Sequence, residues 1–216
     1  MSDDRKMDLS QHWDKAYRAR NEDALTWFEN MPEASLRLVR DHLPEGGALI
    51  DVGAGASRLV DHLLADGHAA LTLLDLSAEA LAITKARLGA KAGQVSFVTA
   101  DVREWAPDRT YDLWHDRAVF HFLTEPADQK RYLETLDETL RPGGIAIIAT
   151  FGLTGPERCS DLPVQRYSPE TLAGRVEELM PGMMTLVQSE HQTHRTPKGN
   201  TQSFQISVFR KKETRP

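Results

Sequence analysis

The sequence predicts an α/β fold: a doubly wound, mostly parallel sheet with helices on both faces and a reversed last strand. Three observations carry this. Short apolar runs alternate with helical periodicities as far as residue 150, the pattern of a parallel sheet flanked by helices. One run, Leu49-Ile50-Asp51-Val52, ends in an acid and turns through Gly53-Ala54-Gly55 into a helix. Turns of this kind are where open α/β sheets bind nucleotides. The last two extended runs, 184–194 and 202–210, are joined through Thr196-Pro197-Lys198-Gly199-Asn200, which can form a hairpin and so reverse a strand.

The elements follow in order. Residues 1–7 are charged and loose in expectation. From Leu9 to Arg20, Leu9, Trp13, Ala16 and Tyr17 share one helical face. Trp27 and Phe28 then form an apolar cluster. These aromatics either pin the helix to the domain or wall a ligand pocket, and both can hold together. Pro32–His42 reads as a helix with Pro32 in its first turn and Leu36 and Val39 buried. Ser57 caps a helix to Ala65; Leu71–Asp75 is a strand ending in an acid; Ser77 caps the helix Ala78–Leu88. Further strands are expected at 94–98, 111–115 and 145–150, with a helix over 129–140. Gly152–Ser168 is a long connection, and loops of that length are usually functional. Pro169–Met180 is the last helix. The expected organisation is a helical lid over 1–30 and one domain over 31–216, with an acceptor-side loop at 152–168.

Composition narrows the function. The 216 residues are 40% hydrophobic and 27% charged, enough for one soluble domain with its own core. A net charge of −6 and a pI near 5.8 argue against nucleic acid as a partner. No apolar stretch approaches the ~20 residues of a membrane span. The N-terminal residues lack an apolar signal core. A single cysteine, Cys159, excludes an internal disulfide and fits a reducing cytoplasm. No pair among the eight histidines makes a recognisable zinc motif, so no metal is expected.

The nucleotide can be narrowed too. A dinucleotide fingerprint needs a third glycine where Arg58 stands, and no Gly-Lys-Ser/Thr follows the turn for a phosphate loop. The stretch Asp51-Val52-Gly53-Ala54-Gly55-Ala56-Ser57 resembles the first motif of class I S-adenosylmethionine-dependent methyltransferases, with Ser57 at the usual last glycine. Four more stretches resemble that family in order: Leu73–Ser77, Thr99–Val102, Tyr111–Leu123 and Leu140–Gly144. The start, His12–Tyr17 with Trp27-Phe28, is similar to that of several small methyltransferases.

The resemblance implies a Rossmann-like sheet of seven strands and S-adenosyl-L-methionine as cofactor. It implies that Asp51, Gly53, Ala54 and Gly55 face the cofactor, that Asp75, next to Leu76, binds the ribose hydroxyls, and that Asp101 and Val102 meet the adenine. It places His115 and Asp116 at the methionine portion and has Trp13 and Tyr17 close over the cofactor. A carboxylate accepting two hydroxyl protons makes charge-assisted hydrogen bonds.

Methyl transfer from a sulfonium is an in-line displacement, so the protein mainly aligns the reactants and excludes water. A base is needed only by an acceptor that arrives protonated. His121 is the candidate general base, with its near-neutral reference pKa, against a packing role; His115 and Asp116 are further candidates for the catalytic set. Arg117 pairs either with Asp116 or with a substrate carboxylate, and Trp27 and Arg166 are candidate acceptor contacts. Nothing near Cys159 in sequence activates its thiol. The expected function is transfer to a small-molecule nucleophile by a cytoplasmic monomer or homodimer. The alternatives are a protein lysine as acceptor, or a non-catalytic module on the same fold.

Overall fold

The computed structural model describes residues 3–213. Helices α1 (Asp3–Arg18) and α2 (Glu33–His42) precede β1 (Leu49–Val52). There follow α3 (Leu59–Ala65), β2 (Leu71–Asp75), α4 (Ala78–Leu88), β3 (Val95–Thr99), β4 (Tyr111–Arg117), α5 (Pro126–Thr139) and β5 (Leu140–Phe151). The chain ends with the two-residue strands β6 (Arg158–Cys159) and β7 (Leu162–Pro163), then α6 (Pro169–Leu179), β8 (Met184–Arg195) and β9 (Thr201–Lys211).

Seven strands form one sheet in the order β3-β2-β1-β4-β5-β9-β8. Neighbours are parallel from β3 through β5, and β9 runs antiparallel to both β5 and β8. The last strand in sequence is therefore the single reversed one, and it lies one place in from the edge. Successive residues of β1 face opposite layers, as the period of two requires. Leu49 packs with Leu36, Leu59 and Leu63 of α2 and α3, whereas Ile50 and Val52 pack with Tyr132, Leu133 and Leu136 of α5. Burial on both faces explains why these central strands read as continuous apolar runs.

Element boundaries shift where local chemistry overrides periodicity. Helix α1 is longer than expected and reaches back to Asp3. Ser57 does not cap α3 in the usual way; its hydroxyl accepts from Leu59 N–H two residues on, and the helix starts there. Pro126 opens α5 three residues before the expected start, a position at which a missing N–H costs nothing. Arg141-Pro142-Gly143-Gly144 forms an irregularity inside β5, where the register against β4 jumps from Tyr111–Leu140 to Leu113–Ile145. Ser77 caps α4 as expected, accepting from Ala80 N–H at 3.1 Å.

Leu133 is fully buried between α5 and the sheet. Leu133→Ala should cost about 2–5 kcal/mol. The checking measurement is a lower urea midpoint with an unchanged slope, since the change empties a cavity without altering how much surface unfolding exposes.

Candidate active site

Strands β1 and β4 lie side by side, and from β1 the chain winds outward to β2 while β4 begins the other half. The carboxyl ends flanking such a switch point form a crevice. A cavity of about 350 Å³ runs along it. Gly53 lines it after β1, Asp75 and Leu76 at the end of β2, Asp101 and Val102 after β3, and Arg117 at the end of β4. Trp13 and Tyr17 of α1, with Trp27, form the opposite wall.

Asp75 is buried, and each of its oxygens accepts one backbone N–H: Oδ2 from Gly55 and Oδ1 from Ser77, both at 2.8 Å. Burial nevertheless outweighs those donors and lifts the carboxyl to about 6. Gly53 and Gly55 have positive φ values of 65° and 53°. A Cβ at Gly53 would strike Val119, and one at Gly55 would strike the Tyr17 hydroxyl, so the hinge and the wall above it meet without side chains between them. Helix α1 is held there by polar contacts beside Asp75. Asp14 accepts from the Ser77 hydroxyl at 2.6 Å and from Glu79 N–H at 3.3 Å, and Ser10 donates to Leu76 O at 3.3 Å.

A second cavity, of about 60 Å³, adjoins the first and shares Tyr17, Gly53, Trp27 and Arg117 with it. Asp51, Ala54 and His115 line this smaller space rather than the large one. Gly55 lines neither; it serves by leaving room for Tyr17 and by donating to Asp75. Asp101 borders the large cavity with both oxygens engaged by Arg103, at 2.8 and 2.5 Å, an ion pair absent from the sequence expectation.

The alternation of β4 separates the two catalytic candidates it carries, His115 and Asp116. His115 and Arg117 point toward the cavities; Trp114 and Asp116 point toward α5. The catalytic expectation for Asp116 does not fit this geometry. Its carboxylate is fully buried and accepts from Val119 N–H, Phe120 N–H and the Tyr132 hydroxyl at 2.7, 3.0 and 2.6 Å, which builds the turn after β4. Burial lifts this carboxyl to about 6 against those three donors.

His121 does not fit the role of a base. Its ring is fully buried near Phe122 and Phe151, at centroid distances of 4.5 and 4.7 Å. Nδ1 accepts Phe151 N–H at 3.2 Å, so the lone pair of the neutral ring is spent. Burial, with Arg117 nearby, drives its pKa down to about 3. Arg166 is not brought to either cavity; it bonds Gly155 O at 3.1 Å and Glu157 at 3.0 Å, bracing the long loop from within.

What that loop contributes instead is the β6–β7 hairpin. Cys159, Leu162 and Pro163 reach the large cavity, and Ser160 and Asp161 form the turn at φ values of 48° and 62°. Two consecutive left-handed residues are what a tight hairpin demands, usually met by Asn-Gly; Ser-Asp concealed the signal. Burial pushes the Cys159 thiol up to about 11, against the opposing pull of Arg117, so it is inert at neutral pH. Phe122 also lines the cavity and meets Trp13 edge-on at 5.2 Å.

Arg117 sits where the cavities meet. Its Nη1 donates to Trp27 O at 3.2 Å, Nη2 lies 3.2 Å from Glu29, and the guanidinium stands 5.1 Å from the Phe204 ring centroid. Its Nε is buried with no hydrogen-bond partner among the described residues. Glu29 is shared with His194 at 3.0 Å; burial alone would raise the Glu29 carboxyl, but His194 and Arg117 outweigh it and hold it low. The other ring nitrogen of His194 faces Thr26 O at 2.8 Å.

The winding, the strand-end acids and the glycine hinge define a nucleotide-type α/β enzyme fold. Residues 49–144 match the methyltransferase domain family, so this central stretch of the chain is similar to methyltransferases. It is 26% identical over 105 residues to a malonyl-(acyl-carrier protein) O-methyltransferase of Ilyobacter polytropus, covering 48% of this chain and 39% of that one. It is 27% identical over 139 residues to nodulation protein S of Rhizobium tropici, covering 64% and 54%. The match thus spans about half of those relatives' length, or less. The 1,6-didemethyltoxoflavin-N1-methyltransferase of Burkholderia thailandensis superposes with a TM-score of 0.68 at 22% identity, over 96% of this chain and 87% of that one. Among the described residues, no helix is long and apolar enough to cross a membrane.

Asp116→Ala should remove the acceptor for three donors at once and cost about 2–4 kcal/mol of stability. Thermal unfolding reads the loss; an unchanged melting temperature would return Asp116 to the list of reacting groups.

Proposed function

We propose that this protein transfers the methyl group of S-adenosylmethionine to a small molecule whose nucleophile arrives as an anion, a carboxylate or a thiolate. The observation that carries the reading is the continuity of the 350 Å³ cavity. It reaches from Asp75 and Asp101 to Trp13, Trp27, Phe122, Cys159 and Leu162, and Arg117 lines it beside these aromatic rings. A concave, largely aromatic and aliphatic wall of this size suits a small molecule better than a lysine on a folded protein.

The residues present suit the cofactor. The Asp75 carboxylate spends one acceptor site per oxygen on backbone N–H groups and keeps others for two ribose hydroxyls. Gly53 lets a ligand approach the backbone at the strand end. Leu76 and Val102 offer apolar faces for the adenine, with Asp101 beside them for its amino group. When bound, S-adenosylmethionine supplies a methyl already activated by a sulfonium.

The chain's own part is orientation and dryness. Trp13, Trp27 and Phe122 exclude water from the cavity wall they form, and Arg117 attracts and aligns an anionic acceptor beside them. Among the described residues around Trp13, Trp27 and Phe122, the two candidate bases are unsuited to take a proton: Cys159 is an unactivated thiol, and His121 lies behind Phe122 with its lone pair engaged. An acceptor that needs no deprotonation is therefore favoured. The carboxylate class agrees with the named O-methyltransferase relative, though the relatives also include proteins named for nitrogen methylation in solved form.

Screening thiols, amines, carboxylates and phenols for S-adenosylhomocysteine formation tests the acceptor class. Turnover is expected with acids or thiols, with a rate that is flat above the acceptor's own pKa. Turnover confined to amines, or labelled methyl appearing in protein bands of a lysate, would overturn the reading.

Asp75 gives a pH signature. Its carboxyl ionises near 6 in the ligand-free protein, and the ionised form accepts the ribose protons. Cofactor affinity should be flat above pH 7 and fall about tenfold per unit well below pH 6. The stability contribution of Asp75 runs the other way. A folded pKa raised above the unfolded value means that the ionised group costs stability at neutral pH, and this cost is relieved as pH falls through 6 toward 4. Calorimetric titration at several pH values, with Asp75→Asn as a weak and pH-flat control, separates the two trends.

A further inference from the structure

The small cavity holds a chain of side chains that alignment and water exclusion leave unused. Asp51 and His115 are lateral neighbours on β1 and β4, and Ser35 reaches them from the first turn of α2. Ser35 Oγ lies 2.9 Å from His115 Nε2, and His115 Nδ1 lies 2.7 Å from Asp51 Oδ1. The three residues are 7%, 3% and 3% exposed. Asp51 Oδ2 has no hydrogen-bond partner among the described residues, and Asp51 borders a cavity that shares Gly53 with the large one.

We propose that Ser35 and His115 are positioning residues that aim Asp51 at the ammonium of the cofactor's amino-acid end. Ser35 donates to Nε2, which holds His115 in the tautomer whose Nδ1–H fixes Asp51 Oδ1 and leaves Oδ2 for the cofactor. This rests on S-adenosylmethionine being the ligand.

The choice of residues has a physical logic. A lysine or arginine beside Asp51 would orient the carboxylate but cancel its charge, and with it the attraction for an ammonium. A neutral imidazole orients it and leaves the charge intact. A neutral imidazole with one nitrogen donating needs a donor at the other, or it leaves a buried acceptor unmet. Ser35 is that donor, and the first turn of α2 is the element that carries it. The order Ser–His–Asp is also that of acyl-transfer triads. There the hydroxyl is open to an acyl group; here it is buried against about 60 Å³ of space.

The test is calorimetric titration of the full chain with two probes. S-adenosylhomocysteine carries the amino-acid end, and 5′-methylthioadenosine lacks it. Ser35→Ala and His115→Gln are expected to weaken S-adenosylhomocysteine about tenfold, the scale of one lost buried hydrogen bond, while 5′-methylthioadenosine binds as to the wild type. Ser35→Thr, which keeps the hydroxyl, should bind both as the wild type does. Unchanged 5′-methylthioadenosine affinity also shows that each variant is folded. Equal weakening of both probes, or of neither, would overturn the proposal, as would labelling of Ser35 by a fluorophosphonate. A wild-type protein that binds neither probe would instead overturn the cofactor reading beneath it.

Discussion

Carboxylates at the ends of buried parallel strands are the constraint on which this structure turns. Desolvating an ionised carboxylate costs several kcal/mol unless donors meet it. Each of the three most central acids is met differently. Asp75 takes backbone N–H groups from the glycine hinge and from its own turn. Asp116 takes two backbone N–H groups and a tyrosine hydroxyl. Asp51 takes an imidazole from the neighbouring strand. The difference decides their uses. Asp116 is closed by three donors and shapes a turn, whereas Asp75 and Asp51 keep acceptor sites on the cavity side.

That division explains which parts of the site were legible in the sequence. Strand ends are visible as apolar runs stopped by an acid, so Asp51, Asp75 and Asp101 stood out, as did the glycines that permit the hinge. The direction of a side chain at a strand end is also in principle visible, because the period is two. Applied to Trp114-His115-Asp116-Arg117, it places His115 and Arg117 together and sends Asp116 to the other layer. Ser35 gave no signal, because a serine in a first helical turn is ordinary and its partner lies 80 residues away. The ion pair of Arg103 with Asp101 was readable as an i, i+2 pair, but its consequence for an adenine contact needed the geometry.

The long loop was the least legible segment, for a different reason. Its turn uses Ser160-Asp161 at positive φ, where the common signature would contain glycine. Its anchors are distant: Gln165 N–H donates to His121 O and Tyr167 N–H to Phe151 O, at 2.8 and 3.0 Å. His121 is therefore better understood as part of this anchoring. Its ring accepts Phe151 N–H while its carbonyl holds the loop, so it fixes the segment that brings Cys159 and Leu162 to the cavity.

The electrostatics around Arg117 follow from one shared carboxylate. Glu29 faces Arg117 on one side and His194 on the other, and both ring nitrogens of His194 face oxygen acceptors. The Glu29 carboxylate is thus divided between two partners and does not answer Arg117 alone. The unpartnered Nε of Arg117 lies at the same place. Surrounding aromatic rings supply no full counter-charge, and exclusion of water strengthens what charge remains. On the proposed reading, this guanidinium is the cation that an anionic acceptor in the large cavity would meet. On that reading, the acceptor is met at the junction of the N-terminal segment, β4 and the final hairpin, away from the glycine hinge after β1.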